Sequence, residues 1–156
     1  MLSRSYTETA YIHYTGKTVR QKVISNLLDA LKVPASMIEV EEHLSHYGIK
    51  SKGRADIVIL GKNKDNDAFP LTVIECKAPN IPLDEKALNQ ALNYSDALGS
   101  VFTILINGDK EFCYKYEQSI QQYAQIEKLP EYNSMLTGEC VTVKTTEPPE
   151  QVSFLI

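Results

Sequence analysis

Two apolar segments, RADIVILG (54–61) and LTVIECK (71–77), flank the turn-rich stretch GKNKDNDAFP (61–70). The first is apolar on both faces apart from Asp56, as in a central strand covered from each side. The second stays apolar until it ends in Glu75 and Lys77. Two such strands around Gly, Asn and Asp predict an antiparallel hairpin in the middle of a sheet. The rest of the chain must supply cover for both of its faces.

That cover is legible as helical periodicity. Val19, Val23, Ile24, Leu27, Leu28 and Leu31 recur at gaps of mostly three and four, which predicts an amphipathic helix over 17–32, capped by Thr15 or Thr18 and ended by Val33-Pro34. Ala87, Leu88, Ala91, Leu92 and Leu98 predict a second helix over 85–98, with Asp84 as N-cap and Gly99 at its C-terminal stop. MIEVEEHL (37–44) alternates as a half-buried strand, VFTILIN (101–107) reads as a buried strand, and EFCYKYE (111–117) as an alternating edge strand. QSIQQYAQIEKL (118–129) has helical composition, and VTVK (141–144) and VSFLI (152–156) read as short strands.

The resulting order is α-β-β-β-α-β-β plus a tail, an α/β fold with a central mixed β-sheet flanked by helices. The 85–98 helix becomes a right-handed crossover between parallel strands 71–77 and 101–107. The 156 residues fit one domain, with a core over about 15–117 and a C-terminal extension over 118–156.

Composition narrows the function classes. A net charge of −4 and a pI near 5.4 argue against coating nucleic acid by bulk charge, though not against a local basic edge. Three cysteines without CxxC spacing fit free thiols in a reducing compartment better than disulfides or zinc. No apolar run approaches a membrane span and the N-terminus has no apolar leader segment, so the expectation is a cytoplasmic protein away from membranes.

The chemistry concentrates at one end of the hairpin. Alternation sets Glu75 and Lys77 on one face of their strand and Cys76 on the other. A hairpin symmetric about the middle of 61–70 brings Asp56 opposite Glu75, with Cβ atoms roughly 4.5–5.5 Å apart. A slip of one residue would send Asp56 to the other face. Two facing carboxylates repel, so either a structural ion pair with Lys77 or a cation between them must compensate. A cation held by carboxylates alone would be hard, Mg²⁺ or Mn²⁺, and the reaction it serves is phosphodiester hydrolysis. Lys77 would then position the attacking water or stabilise charge in the transition state.

Asp56 followed by Glu75-Cys76-Lys77 resembles the catalytic motif of the PD-(D/E)xK nuclease superfamily. VRQ (19–21), RADIVIL (54–60), VIECKAPN (73–80), QALNY (90–94) and ILING (104–108) resemble, in order, the N-terminal nuclease domain of type I restriction enzyme R subunits. The resemblance implies a restriction-endonuclease-like core and a metal-dependent DNA endonuclease. Asp56 and Glu75 would be metal ligands for Mg²⁺ or Mn²⁺, with the backbone carbonyl of Cys76 as a third, and Lys77 the catalytic lysine. Gln90 and Tyr94 match the QxxxY motif of the RecB-like branch and share a helix face from which they would meet DNA. Relatives often carry a glutamate at the start of the first helix; here Thr15-Gly16-Lys17-Thr18 stands there, and only Gln21 offers a polar replacement. Ala55 replaces the proline of the motif's name. R subunits continue into an ATP-driven translocase, so any activity expected within this chain is independent of translocation.

Basic residues flank these elements: Lys50, Lys52 and Arg54 lead into the Asp56 strand, and Lys17, Arg20 and Lys22 lie on the first helix. They read either as a solvated face or as an edge that tracks DNA phosphates, with Arg20 the best single candidate. Gly16-Lys17-Thr18 lacks the earlier glycine of a phosphate-binding loop. His43 and His46 lie three apart on a strand reading, on opposite sides, and Tyr6, Tyr11, Tyr14, Tyr114 and Tyr116 read as packing rather than base stacking. Expected partners are DNA, other restriction-modification subunits and a second copy of the chain for double-strand cleavage. The competing function is a module of the same fold that binds DNA or a subunit with little or no hydrolysis.

Overall fold

The computed structural model describes residues 16–50, 53–108 and 110–140. Helix α1 (Gly16–Asp29) leads through a 3-10 turn (Ala35–Met37) into β1 (Ile38–His43), and a second such turn (Leu44–Tyr47) precedes β2 (Arg54–Lys62). Then follow β3 (Ala68–Cys76), α2 (Glu85–Leu98), β4 (Phe102–Ile106), β5 (Glu111–Glu117), β6 (Gln122–Ile126) and α3 (Tyr132–Thr137). All six strands form one sheet in sequence order, β1-β2-β3-β4-β5-β6. Every neighbouring pair is antiparallel except β3 and β4, which run parallel because α2 carries the chain back across the sheet. This is the mixed α/β fold expected, consistent with a restriction-endonuclease-like core.

Strand alternation divides the core into two layers. Ile57, Ile59, Ile74, Phe102, Ile104 and Cys113 face α1 and α3, where they pack with Val19, Leu27 and Met135. Leu105, Tyr114 and Tyr123 face α2 and bury Ala87, Leu88, Ala91 and Leu92. With both faces covered, the central strands carry apolar side chains in both directions. Helix α2 runs as expected: the Asp84 carboxylate accepts from the Ala87 amide at 2.9 Å, and Gly99 ends it at φ 69. At that φ a side chain would be strained, so glycine is the natural stop.

The structure corrects five expectations. Residues 118–129 are not helical: a turn with Gln121 at φ 52 leads into β6, which pairs with β5 and places Tyr123 against α2. Helical propensity there is overridden because β5 would otherwise expose an unpaired edge, so among the described residues β6 rather than β5 is the outermost strand. Helix α1 stops at Asp29, short of 32, and Thr18 lies inside it, buried, rather than capping it. Finally, the 3-10 turn after His43 curls His46 back, so the two imidazoles stack edge to face at 5.6 Å instead of pointing apart. His46 Nδ1 pairs with Glu42 at 2.6 Å.

Thr15, Lys17, Lys52, Tyr6, Tyr11, Tyr14 and the strands expected at 141–144 and 152–156 lie outside the residues or side chains described. All three cysteines are free thiols. Among the described residues no helix is long and apolar enough to cross a membrane.

Candidate active site

The site forms where the sheet splits. β2 remains paired with β1 as far as Arg54 opposite His43, and β3 remains paired with β4 as far as Cys76 opposite Ile106. Between β2 and β3, however, the ladder ends at Ile57 opposite Ile74. Past that point two side chains replace the backbone bonds. The Cys76 amide donates to Asp56 Oδ2 at 2.8 Å, and the Asp56 amide donates to Glu75 Oε1 at 3.3 Å. The two carboxylates therefore fill the fork between diverging strands, each held by the partner strand's backbone.

The pairing of Asp56 with Glu75 is the one expected, by a different route. Near the hairpin turn, Leu60 faces Pro70 and Lys62 faces Ala68; a bulge between Ile59 and Leu60 then shifts the register before Ile59 meets Thr72. Without that bulge Asp56 would face Ile74, and the two carboxylates would point to opposite sides of the sheet. Pro70 lies at the bulge, where its missing amide costs no ladder bond.

Glu75 is only 4% exposed. Burial foremost, and then the negative charge of Asp56, push its carboxyl up to about 8, while the Asp56 amide and the charge of Lys77 pull the other way. Cys76 points to the opposite face, into the α1 layer, and burial pushes its thiol up to about 12, so it stays a neutral core residue. No ion pair joins Lys77 to Asp56 or Glu75 among the described residues. The buried ion-pair network that the sequence left open is not formed.

Lys77 turns instead to α2. Its Nζ donates to Gln90 Oε1 at 3.1 Å, and Gln90 Nε2 donates to Tyr94 Oη at 3.4 Å. The QxxxY pair is thus a short relay that ties the strand's terminal lysine to one helix face. Beyond Lys77, the loop is fastened by Asn107, whose Nδ2 donates to the Ile81 carbonyl at 3.0 Å while its Oδ1 accepts from the Lys110 amide at 3.0 Å. A hollow of about 360 Å³ opens beside this relay, lined by Lys77, Ile81, Pro82, Asp84, Lys86, Ala87 and Gln90.

Of the other expected residues, Arg20 reaches the neighbourhood from α1 and pairs with Glu41 at 3.4 Å. Gln21, the next residue, is exposed and makes no hydrogen bond to the carboxylates. Tyr114 is fully buried and Tyr116 packs edge to face on Tyr123, so neither offers a stacking platform. Among the described residues no group of three or more His, Cys, Asp and Glu is gathered for a metal ion.

One contributor carried no sequence signal. A Cβ built on Gly53, at the entrance to β2, would lie 2.9 Å from Tyr94 Cε1 and 3.0 Å from its Oη. The tyrosine ring sits on the bare backbone. Gly53→Ala is expected to cost about 1–3 kcal/mol of stability by overpacking and to weaken the Gln90–Tyr94 bond. Urea denaturation of Gly53→Ala alone and in a Tyr94→Ala background checks this: the cost should largely disappear in the second, and an equal cost in both would place the strain elsewhere.

Residues 16–130 match the family model described as the type I restriction enzyme R protein N terminus. The chain belongs to this family. The match spans every element from α1 to β6, including the fork and the α2 relay. No curated protein sequence matches the chain, and no solved structure does. The family is the N-terminal part of a restriction enzyme R subunit, which points to a nuclease role and ties the domain to restriction-modification.

Proposed function

We propose that this domain is a metal-dependent DNA endonuclease of the PD-(D/E)xK type. The observation that carries the reading is the fork, in which a buried and a half-buried carboxylate from adjacent strands share one corner beside a strand-terminal lysine that Gln90 holds. The donor set fits a hard cation. Asp56 and Glu75 supply charged oxygens, the Cys76 carbonyl is a third candidate oxygen, and Glu75 is too buried to carry its charge comfortably without a nearby cation. With only two carboxylates, Mg²⁺ or Mn²⁺ would keep water and substrate oxygens in its remaining positions. When bound, the ion would polarise the phosphoryl group and acidify a water.

The chain's own residues do the rest. Lys77, held by Gln90, presents an ammonium to the face where the phosphate's extra charge develops. Gln90 and Tyr94 fix its direction, and with Arg20 they would hold the DNA strand. DNA and the other restriction-modification subunits are the partners this reading names, with a second copy of the chain for cutting both strands. A binding module of the same fold without hydrolysis is the alternative, favoured by the net charge of −4 and by the absence of a third gathered carboxylate among the described residues.

The test is calorimetric titration of Mn²⁺ into the wild-type protein, Asp56→Ala and Asp56→Asn, the last retaining an acceptor for the Cys76 amide. Binding by wild type that is lost in both variants is the expected outcome. Equal heats in all three would sink the two-carboxylate site. If wild type stays silent even with a non-cleavable duplex present, the binding-module reading takes over.

A further inference from the structure

Glu41 is an anomaly next to the fork. Val40 faces Ile57 and Glu42 faces Ala55, so β1 brackets Glu41 directly across from Asp56, where no ladder pair forms. Glu41 also adopts φ 54, a left-handed backbone rare for a non-glycine residue within a strand. That conformation takes its side chain out of the strand's alternation. Its Oε1 lies 3.4 Å from Arg20 Nη1 and 3.7 Å from Arg54 Nη2. One arginine comes from α1 on one face of the sheet, and the other from the first residue of β2, two positions before Asp56. A single carboxylate oxygen thus holds together two guanidinium groups that converge on the edge of the fork.

A carboxylate between two arginines occupies the same kind of place as a phosphate oxygen, since both are anionic acceptors that guanidinium groups bind by charge-assisted hydrogen bonds. We infer that Arg20 and Arg54 form a binding site for a DNA backbone phosphate flanking the fork, and that Glu41 is the built-in competitor that occupies it until DNA arrives. This rests on the nuclease reading. Glu41 is a positioning residue: it prearranges the two guanidinium groups and yields them to the phosphate. The exchange has a direction because Glu41 is partly solvated and can return to water, so displacing it strands no buried charge. It also gives an acidic protein a local cationic pair without leaving that pair open to indiscriminate anions.

The test measures binding of a duplex with Ca²⁺ replacing Mg²⁺, over a range of salt, for wild type, Glu41→Gln, Arg54→Ala and the double variant. Glu42→Gln is the control, because it removes the same charge from the adjacent residue. Glu41→Gln is expected to bind roughly fivefold tighter at low salt, the scale of one exposed ion-pair competitor removed, with the gain shrinking as salt rises. Arg54→Ala should bind more weakly, with a salt dependence shallower by about one phosphate contact. In the Arg54→Ala background the gain from Glu41→Gln should fall well below fivefold. A purely structural Glu41 would give only weaker binding on substitution, and an equal gain in Glu42→Gln would reduce the effect to net charge. Either result overturns the proposal, as does a Glu41→Gln gain that persists in full without Arg54. If Glu41→Gln fails to fold, unchanged affinity and salt dependence in Arg54→Ala overturns it alone. Failure of wild type to bind any duplex removes the nuclease reading and this inference with it.

Discussion

Glu75→Gln should lower DNA cleavage by about a thousandfold or more while leaving duplex affinity similar or slightly raised. The amide keeps the size of the side chain and still offers Oε1 to the Asp56 amide, so the fork keeps its shape. What disappears is one of the two negative charges that would hold the cation. The same substitution has a second signature that needs no DNA. In the metal-free protein the Glu75 carboxyl is raised from 4.5 to about 8, chiefly by burial and then by Asp56. Between those pH values the folded state retains a proton that the unfolded chain has released. Stability of the metal-free protein must therefore fall as pH rises through that window, reaching its floor above about 8. Glu75→Gln has no proton to lose there and should be the more stable protein at high pH. Urea denaturation in EDTA at both ends of the window measures this directly. Parallel pH profiles for the two proteins would mean that Glu75 is not charged at the expense of the fold. Mn²⁺ should restore the wild type at high pH and leave the variant unmoved.

Lys77→Ala should cut cleavage by about a hundred- to a thousandfold, the scale of removing one preorganised electrostatic stabiliser, without weakening Mn²⁺ binding. The two readouts separate because Lys77 is directed at Gln90 and takes no part in an ion pair with either carboxylate among the described residues. Removing its charge leaves Asp56 and Glu75 at least as attractive to a cation as before. Cleavage assays and calorimetry on the same preparation decide the matter. A variant that cleaves within threefold of wild type would remove Lys77 from the reaction, and one that loses metal binding as well would make its role structural.

Legibility from sequence followed the range of the forces involved. Helix α2 was readable to its ends because its signals are local: Asp84 bonds an amide three residues on, and Gly99 takes a backbone angle other residues avoid. The hairpin was readable because both of its strands are apolar in both directions. By contrast, Gln122–Ile126 looks helical in isolation and becomes β6 only because β5 presents an unpaired edge. The short helix Tyr132–Thr137 had no periodicity to reveal it; Met135 is buried there and accepts from Thr72 on the sheet face that the helix covers. Glu41 and Gly53 escaped for a similar reason. Neither a left-handed angle in a strand nor a tyrosine seated on a bare backbone leaves a mark in a single sequence.

The inventory of the site is written in the chain: Asp56, Glu75 and Lys77 at strand ends, and Gln90 and Tyr94 four apart on one helix face, since residue type and periodicity are local properties. Whether those groups meet was decided by tertiary structure. The bulge before Thr72 set the register that turns Asp56 toward Glu75's face, and the separate commitments of β2 to β1 and β3 to β4 opened the fork. The same packing brought Arg20 and Arg54 together around Glu41. Register and strand divergence are settled by the competition of several strands for shared backbone bonds, and no single segment carries the terms of that competition.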